Sequence, residues 1–156
     1  MKQTITTEKV LRAYKILSTA KYSKLADADK VKVWKIARKM EPFATKFDND
    51  SKDAAEKLKP YEAFADDLTK AQEYEQKKGV GCEMTAEDYQ KFVAAFKSYN
   101  ELVGKAIKEF ADKEVELEFD VLSEDAFGKL MCSNEWTYED VRHIDKIIVE
   151  QEKKED

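Results

Sequence analysis

Residues 89–110 read YQKFVAAFKSYNELVGKAIKEF. Tyr89, Phe92, Phe96, Tyr99, Val103, Ala106 and Phe110 recur at alternating steps of three and four, the spacing that lines one face of an α-helix. Thr85-Ala86-Glu87-Asp88 precedes them, a hydroxyl followed three residues on by an acid, which satisfies the free amide groups of a helix start. A long helix with an aromatic stripe is predicted, and such a stripe packs against neighbouring helices.

The same period recurs towards the N-terminus. Thr4, Thr6 and Thr7 offer caps, and Val10, Tyr14 and Leu17 follow at helical spacing, predicting a first helix over residues 8–21. Asp27 or Asp29 can cap a second helix, whose seam is Val33, Ile36, Met40, Phe43 and Phe47. Pro42 lies inside that seam and predicts a kink, or a break at 39–41. Residues 48–51 (DNDS) read as a turn or a helix restart. Ala54, Leu58, Tyr61, Ala65 and Leu68 predict a third helix within 53–78, with Pro60 either kinking it or standing in its first turn. Gly79 and Gly81 end it.

Beyond the stripe the period changes from 3.6 to 2. Val115, Leu117, Phe119 and Val121 alternate with Glu114, Glu116, Glu118 and Asp120, a half-buried strand with an acidic outer face. It needs a partner, either 2–6 or 80–84, and pairing with 2–6 would set Lys2 near the acidic ladder. Ser123 caps a short helix reaching about 131, Thr137 caps a last one carrying Val141, Ile144 and Ile148, and 150–156 is expected to fray. The fold class expected is mainly α: an antiparallel helical bundle around the aromatic stripe with a small two- or three-stranded sheet, as one domain over 1–156.

With 4 Gly and 2 Pro in 156 residues, turn-rich sandwiches and glycine-loop nucleotide folds are disfavoured. Signal-peptide and membrane-spanning patterns are lacking, so a soluble cytoplasmic protein is expected. Cys82 and Cys132 are 50 residues apart without a CxxC pair, and His143 is the single histidine. Free thiols, no metal site and no cofactor are the expectations. Residues 1–40 carry 11 Lys+Arg against 3 acids, +8 in a chain of net charge −5. That asymmetry is neutralised internally or reserved for a charged partner.

The carboxylate pairs Asp66-Asp67, Glu87-Asp88 and Glu124-Asp125 fall at helix starts or on exposed faces, where the helix dipole accounts for them. His143 and Asp145 point to different faces of a helix, and Cys132 has no base nearby in sequence. No catalytic residue is assigned. Glu116, Glu118 and Asp120 could face a basic partner, hold a divalent cation, or simply prevent strand addition at an edge. In residues 30–39, KVKVWKIARK, Lys32, Lys35 and Lys39 share a helical stripe that could contact phosphates or an acidic protein surface. A sequence pI of about 5.2 disfavours nucleic acid.

LRAYKIL at 11–17, a turn with Leu25, KVWKIARKMEPFATKF at 32–47 and EVELEFDVLSEDAF at 114–127 together resemble a small family of unknown function encoded by tailed phages and prophages. The resemblance implies a helical hairpin with a basic second helix, then an acidic strand and a terminal helix, and a non-enzymatic role in virion structure or assembly. The partner would be a phage or host protein, self-association included, in the host cytoplasm or the virion. The alternative is an inhibitor of a host defence or nucleic-acid-handling protein acting through the acidic strand.

Overall fold

The computed structural model describes residues 2–151. In order the elements are β1 (Lys2–Thr6), α1 (Thr7–Ser18), α2 (Asp27–Lys57), α3 (Phe64–Lys77), α4 (Ala86–Asp112), β2 (Glu114–Glu118), α5 (Glu124–Cys132) and α6 (Tyr138–Ile148). The architecture is mainly α with one two-stranded antiparallel sheet among the described residues. The chain gathers into two compact units, one drawn from residues 1–48 and 111–156, the other from 49–110.

In the first unit β1 pairs with β2, from Lys2 opposite Glu118 to Thr6 opposite Glu114. Val115 and Leu117 then face inward, where α1 adds Val10, Ala13, Ile16 and Leu17 and α2 adds Val33, Ile36 and Met40. Leu122, the α5 residues Ala126, Phe127 and Leu130, and the α6 residues Ile144, Ile147 and Ile148 complete this aliphatic core. Buried Thr7 ties the sheet to α1, its amide and hydroxyl both donating to the Lys113 carbonyl at 2.8 Å. The N-terminal partner strand anticipated from sequence is the one used, and Lys2 Nζ lies 3.2 Å from a Glu116 oxygen.

The second unit is smaller and aromatic. Phe64 sits 5.3 Å from Phe92 and 4.8 Å from Tyr99 between ring centroids, and Tyr74 stacks on Tyr89 at 4.3 Å. The stripe on α4 therefore organises only this unit: Phe92 is buried, its neighbours half-buried, and the larger core lies elsewhere. On the stripe it is α3 that packs, through Phe64, Leu68 and Ala71, while the aliphatic residues of α1, α5 and α6 share the core of the first unit with Leu117.

Hydroxyl caps appear where the sequence places them. Thr6, Thr85, Ser123 and Thr137 accept from the amides of Lys9, Asp88, Ala126 and Asp140 at 3.1–3.4 Å. Four expectations change. First, α1 ends at Ser18 and not at 21, since Thr19 turns its hydroxyl onto the Lys15 carbonyl and the Asn134 amide pairs with both backbone groups of Lys21 at 2.8 and 2.9 Å. Second, Asp27 and Asp29 occupy the first turn of α2, whose start is closed by the Ala26 carbonyl. Third, α2 passes unbroken through Pro42 and through 48–51. Pro42 and Arg38 are both exposed, so the carbonyl that proline leaves unpaired lies on the solvent side. Fourth, Pro60 closes α2 instead of kinking α3, as the residue before proline resists helical geometry; the Tyr99 hydroxyl donates to the freed Ala55 carbonyl at 2.7 Å.

At the C-terminus Glu150 is held, its amide donating to the Leu122 carbonyl at 2.8 Å, and the Gln151 side chain donates to the Asp145 carbonyl at 3.0 Å. The rest of the stretch expected to fray, 152–156, lies outside the described residues.

Two stability outcomes follow from this packing. Replacing Pro42 with Ala restores an amide in an exposed helix interior and is expected to stabilise the chain by up to about 3 kcal/mol in urea unfolding. Ile144→Ala, at a fully buried site, is expected to destabilise by about 2–5 kcal/mol.

Candidate functional site

Because Val33, Ile36 and Met40 turn α2 inward, Val31, Trp34, Lys35 and Arg38 are left on its outward face at intervals of three and four. Val31 is 46% and Trp34 51% exposed. The Arg38 guanidinium lies 5.1 Å from the Trp34 ring centroid, a cation–π contact of about 0.5–1 kcal/mol at an exposed site. The stripe singled out from sequence sits at one margin of this face: Lys35 and Lys39 are exposed, Lys32 half-buried. Sequence reading noted the tryptophan but passed over its pairing with Arg38, although the separation of four residues is the signal for it.

Surrounding charge is largely unspent. Of the 11 Lys+Arg in residues 1–40, Lys2, Arg12 and Lys30 are ion-paired, with Glu116, Asp140 and Asp27. The other eight, Lys32, Lys35, Arg38 and Lys39 among them, have no carboxylate within 4.0 Å among the described residues.

The acidic strand is shorter than its sequence suggests. Glu114, Glu116 and Glu118 are exposed on the face they share with Thr6, Thr4 and Lys2. Asp120 is exposed but lies past the end of β2 at Glu118. Lys2 and Glu116 are both about two-thirds exposed, so their ion pair adds little stability. No group of three or more His, Cys, Asp or Glu among the described residues converges as a metal site would require. The basic stripe and the acidic ladder are separate surfaces on separate elements, α2 and β2.

The other reactive side chains have structural partners. His143 Nε2 is 2.9 Å from the Lys9 carbonyl oxygen; a carbonyl only accepts, so Nε2 carries the proton. Cys82 is half-buried and Cys132 exposed, and both are free thiols. The carboxylate pairs stand in the first turns of α3, α4 and α5. Tyr61, with its hydroxyl 2.7 Å from Asp67, is pushed up to about 12 by burial first and by that hydrogen bond second. No helix among the described residues is long and apolar enough to cross a membrane.

Asp140 links α6 to α1. Its carboxyl is held below the ordinary range, first by the Thr137 hydroxyl and then by the Thr137 amide and Arg12, against an opposing desolvation. A depressed carboxylate stabilises the fold above its unfolded-state titration, and that contribution is lost as pH falls through the folded value. Thr137→Ala removes the hydroxyl and the N-cap of α6. Urea unfolding is expected to show a loss of about 1 kcal/mol at neutral pH. Carbon-detected titration is expected to show the Asp140 carboxyl moving up towards the ordinary range. Comparison with family models, with curated proteins and with solved structures returns no match, so a functional reading rests on the surfaces just described.

Proposed function

We propose that the chain is a non-enzymatic binding protein that engages another protein through the outward face of α2. The observation that carries this reading is the exposed Trp34–Arg38 pair, set among lysines without carboxylate partners among the described residues. Tryptophan and arginine dominate the energetics of protein interfaces, and a solvent-facing tryptophan gains little for the fold itself. Lys32, Lys35 and Lys39 along its margin suit a partner with an acidic surface and would speed encounter with it.

The resemblance to tailed-phage and prophage proteins supports a virion or assembly partner, or a second copy of this chain, met in the host cytoplasm. The alternative partner is a basic host protein received by Glu116, Glu118 and Asp120, of which Glu118 and Asp120 have no ion pair among the described residues.

Light scattering on a sizing column at low and high salt tests self-association, and co-purification from infected-cell lysate tests a different partner. Trp34→Ala combined with Lys35→Gln is expected to lose at least about tenfold in binding, the loss typical of an interface hot spot, with an unfolding midpoint unchanged. Loss confined to the Glu116→Gln/Glu118→Gln/Asp120→Asn variant would replace this reading with the acidic-surface one. A salt-insensitive monomer whose co-purifying proteins are the same for all three chains would overturn both.

A further inference from the structure

A second charged surface, independent of the α2 face, is concave. In the first unit β1, α1 and α6 enclose a cleft of about 350 Å³. Its floor is apolar, made by half-buried Ile5 of β1 and buried Ile147 of α6. Its walls are cationic. α1 contributes Lys9 and Arg12, three residues apart and so on one face; α6 contributes Arg142, His143 and Lys146, likewise on one face. Glu139 is the one carboxylate in the lining, against four permanent cations.

These cations are not used up by the fold. Lys9, Arg142 and Lys146 have no carboxylate within 4.0 Å among the described residues. Arg12 reaches Asp140 at 3.5 Å while its side chain stays 46% exposed. Helix electrostatics account for Lys146, in the last turn of α6, but not for Lys9, which stands in the first turn of α1 where the dipole disfavours a cation. His143 holds that geometry, its Nε2–H donating to the Lys9 carbonyl from across the cleft wall. The Gln3 amide donates to the Ile147 carbonyl at 2.8 Å, which fixes β1 against the end of α6. The walls are therefore braced by long-range bonds while the charged ends of Lys9, Arg142 and Lys146 have no carboxylate partner among the described residues and Arg12 shares its guanidinium with Asp140.

We propose that this cleft binds a small organic phosphate. Its phosphoryl oxygens would be held by the guanidinium forks of Arg12 and Arg142 and by Lys146, and its nonpolar body would lie on Ile5 and Ile147. Two arginines match phosphate oxygens in paired hydrogen bonds as lysines alone do not, and the volume falls within the range of small-ligand sites.

The test is a titration of the isotope-labelled full chain, followed by amide resonances, with inorganic pyrophosphate and separately with adenosine diphosphate, at about 0.15 M salt to screen surface attraction. Saturable shifts confined to residues 3–12 and 139–147 are expected, with adenosine diphosphate binding more tightly than pyrophosphate. Arg142→Gln and Lys146→Gln, both at exposed positions, are each expected to weaken binding about tenfold, the size of one lost charge-assisted contact, while Lys35→Gln on α2 leaves it unchanged. Shifts that do not saturate, that spread equally to Lys35 and Lys39, or that survive in the Arg142→Gln/Lys146→Gln double variant would overturn the proposal. So would pyrophosphate binding to which the nucleoside adds nothing, since that marks an adventitious ion only.

Discussion

The first unit depends on one long-range contact, the antiparallel pairing of Lys2–Thr6 with Glu114–Glu118. Bringing together segments over 100 residues apart costs a flexible chain about 4 kcal/mol of closure entropy, and the five-residue ladder returns little of that alone. The recompense is what the pairing positions. With β1 in place, Thr7 anchors α1 on the Lys113 carbonyl, Gln3 takes the Ile147 carbonyl at the end of α6, and Val115 and Leu117 close the aliphatic core from one side. Without β1, the inward side chains of β2 would lose their cover and the Ile147 carbonyl its donor.

That arrangement also bears on where charge is left over. The N-terminal segment is strongly basic, and antiparallel pairing brings only Lys2 onto the acidic ladder, while α1 brings only Arg12 onto Asp140. Lys35, Arg38 and Lys39 of α2 are exposed on the side away from Val33, Ile36 and Met40, with the Arg38 guanidinium over the Trp34 ring. Surface charge of one sign without nearby counter-charge costs a little stability by repulsion and raises the local concentration of oppositely charged molecules. The α2 face sets that excess beside an exposed aromatic ring, and in the cleft Lys9 and Arg12 of α1 meet Arg142 and Lys146 of α6.

Local signals in the chain were legible wherever the physics is local. Thr6, Thr85, Ser123 and Thr137 cap helices because a hydroxyl three residues from an unpaired amide reaches it whatever the surroundings. The alternation at 114–118 reads as a strand for a similar reason, and the stripe of α4 as a helix. The basic stripe of α2 and the exposed carboxylates of β2 were likewise visible as patterns. Proline was the harder signal: α2 continues through Pro42, and Pro60 follows the end of α2 and stands outside α3. Pro42 is mid-helix with its lost bond facing water, whereas near Pro60 the Tyr99 hydroxyl finishes the open Ala55 carbonyl.

What the sequence determined by itself was therefore the hydroxyl-capped starts of α1, α4, α5 and α6, the periods and the sign of each surface, since these depend on neighbours within about four residues. Tertiary structure alone decided the division into an aliphatic and an aromatic core, the end of α1 at the Asn134 amide, the exclusion of Asp120 from the ladder and the assembly of the Lys9–Arg12–Arg142–Lys146 cleft. These depend on side chains and strands well separated in the chain, from Phe64 and Phe92 in the aromatic core to Lys9 and Arg142 in the cleft, and no local period encodes which distant group will arrive.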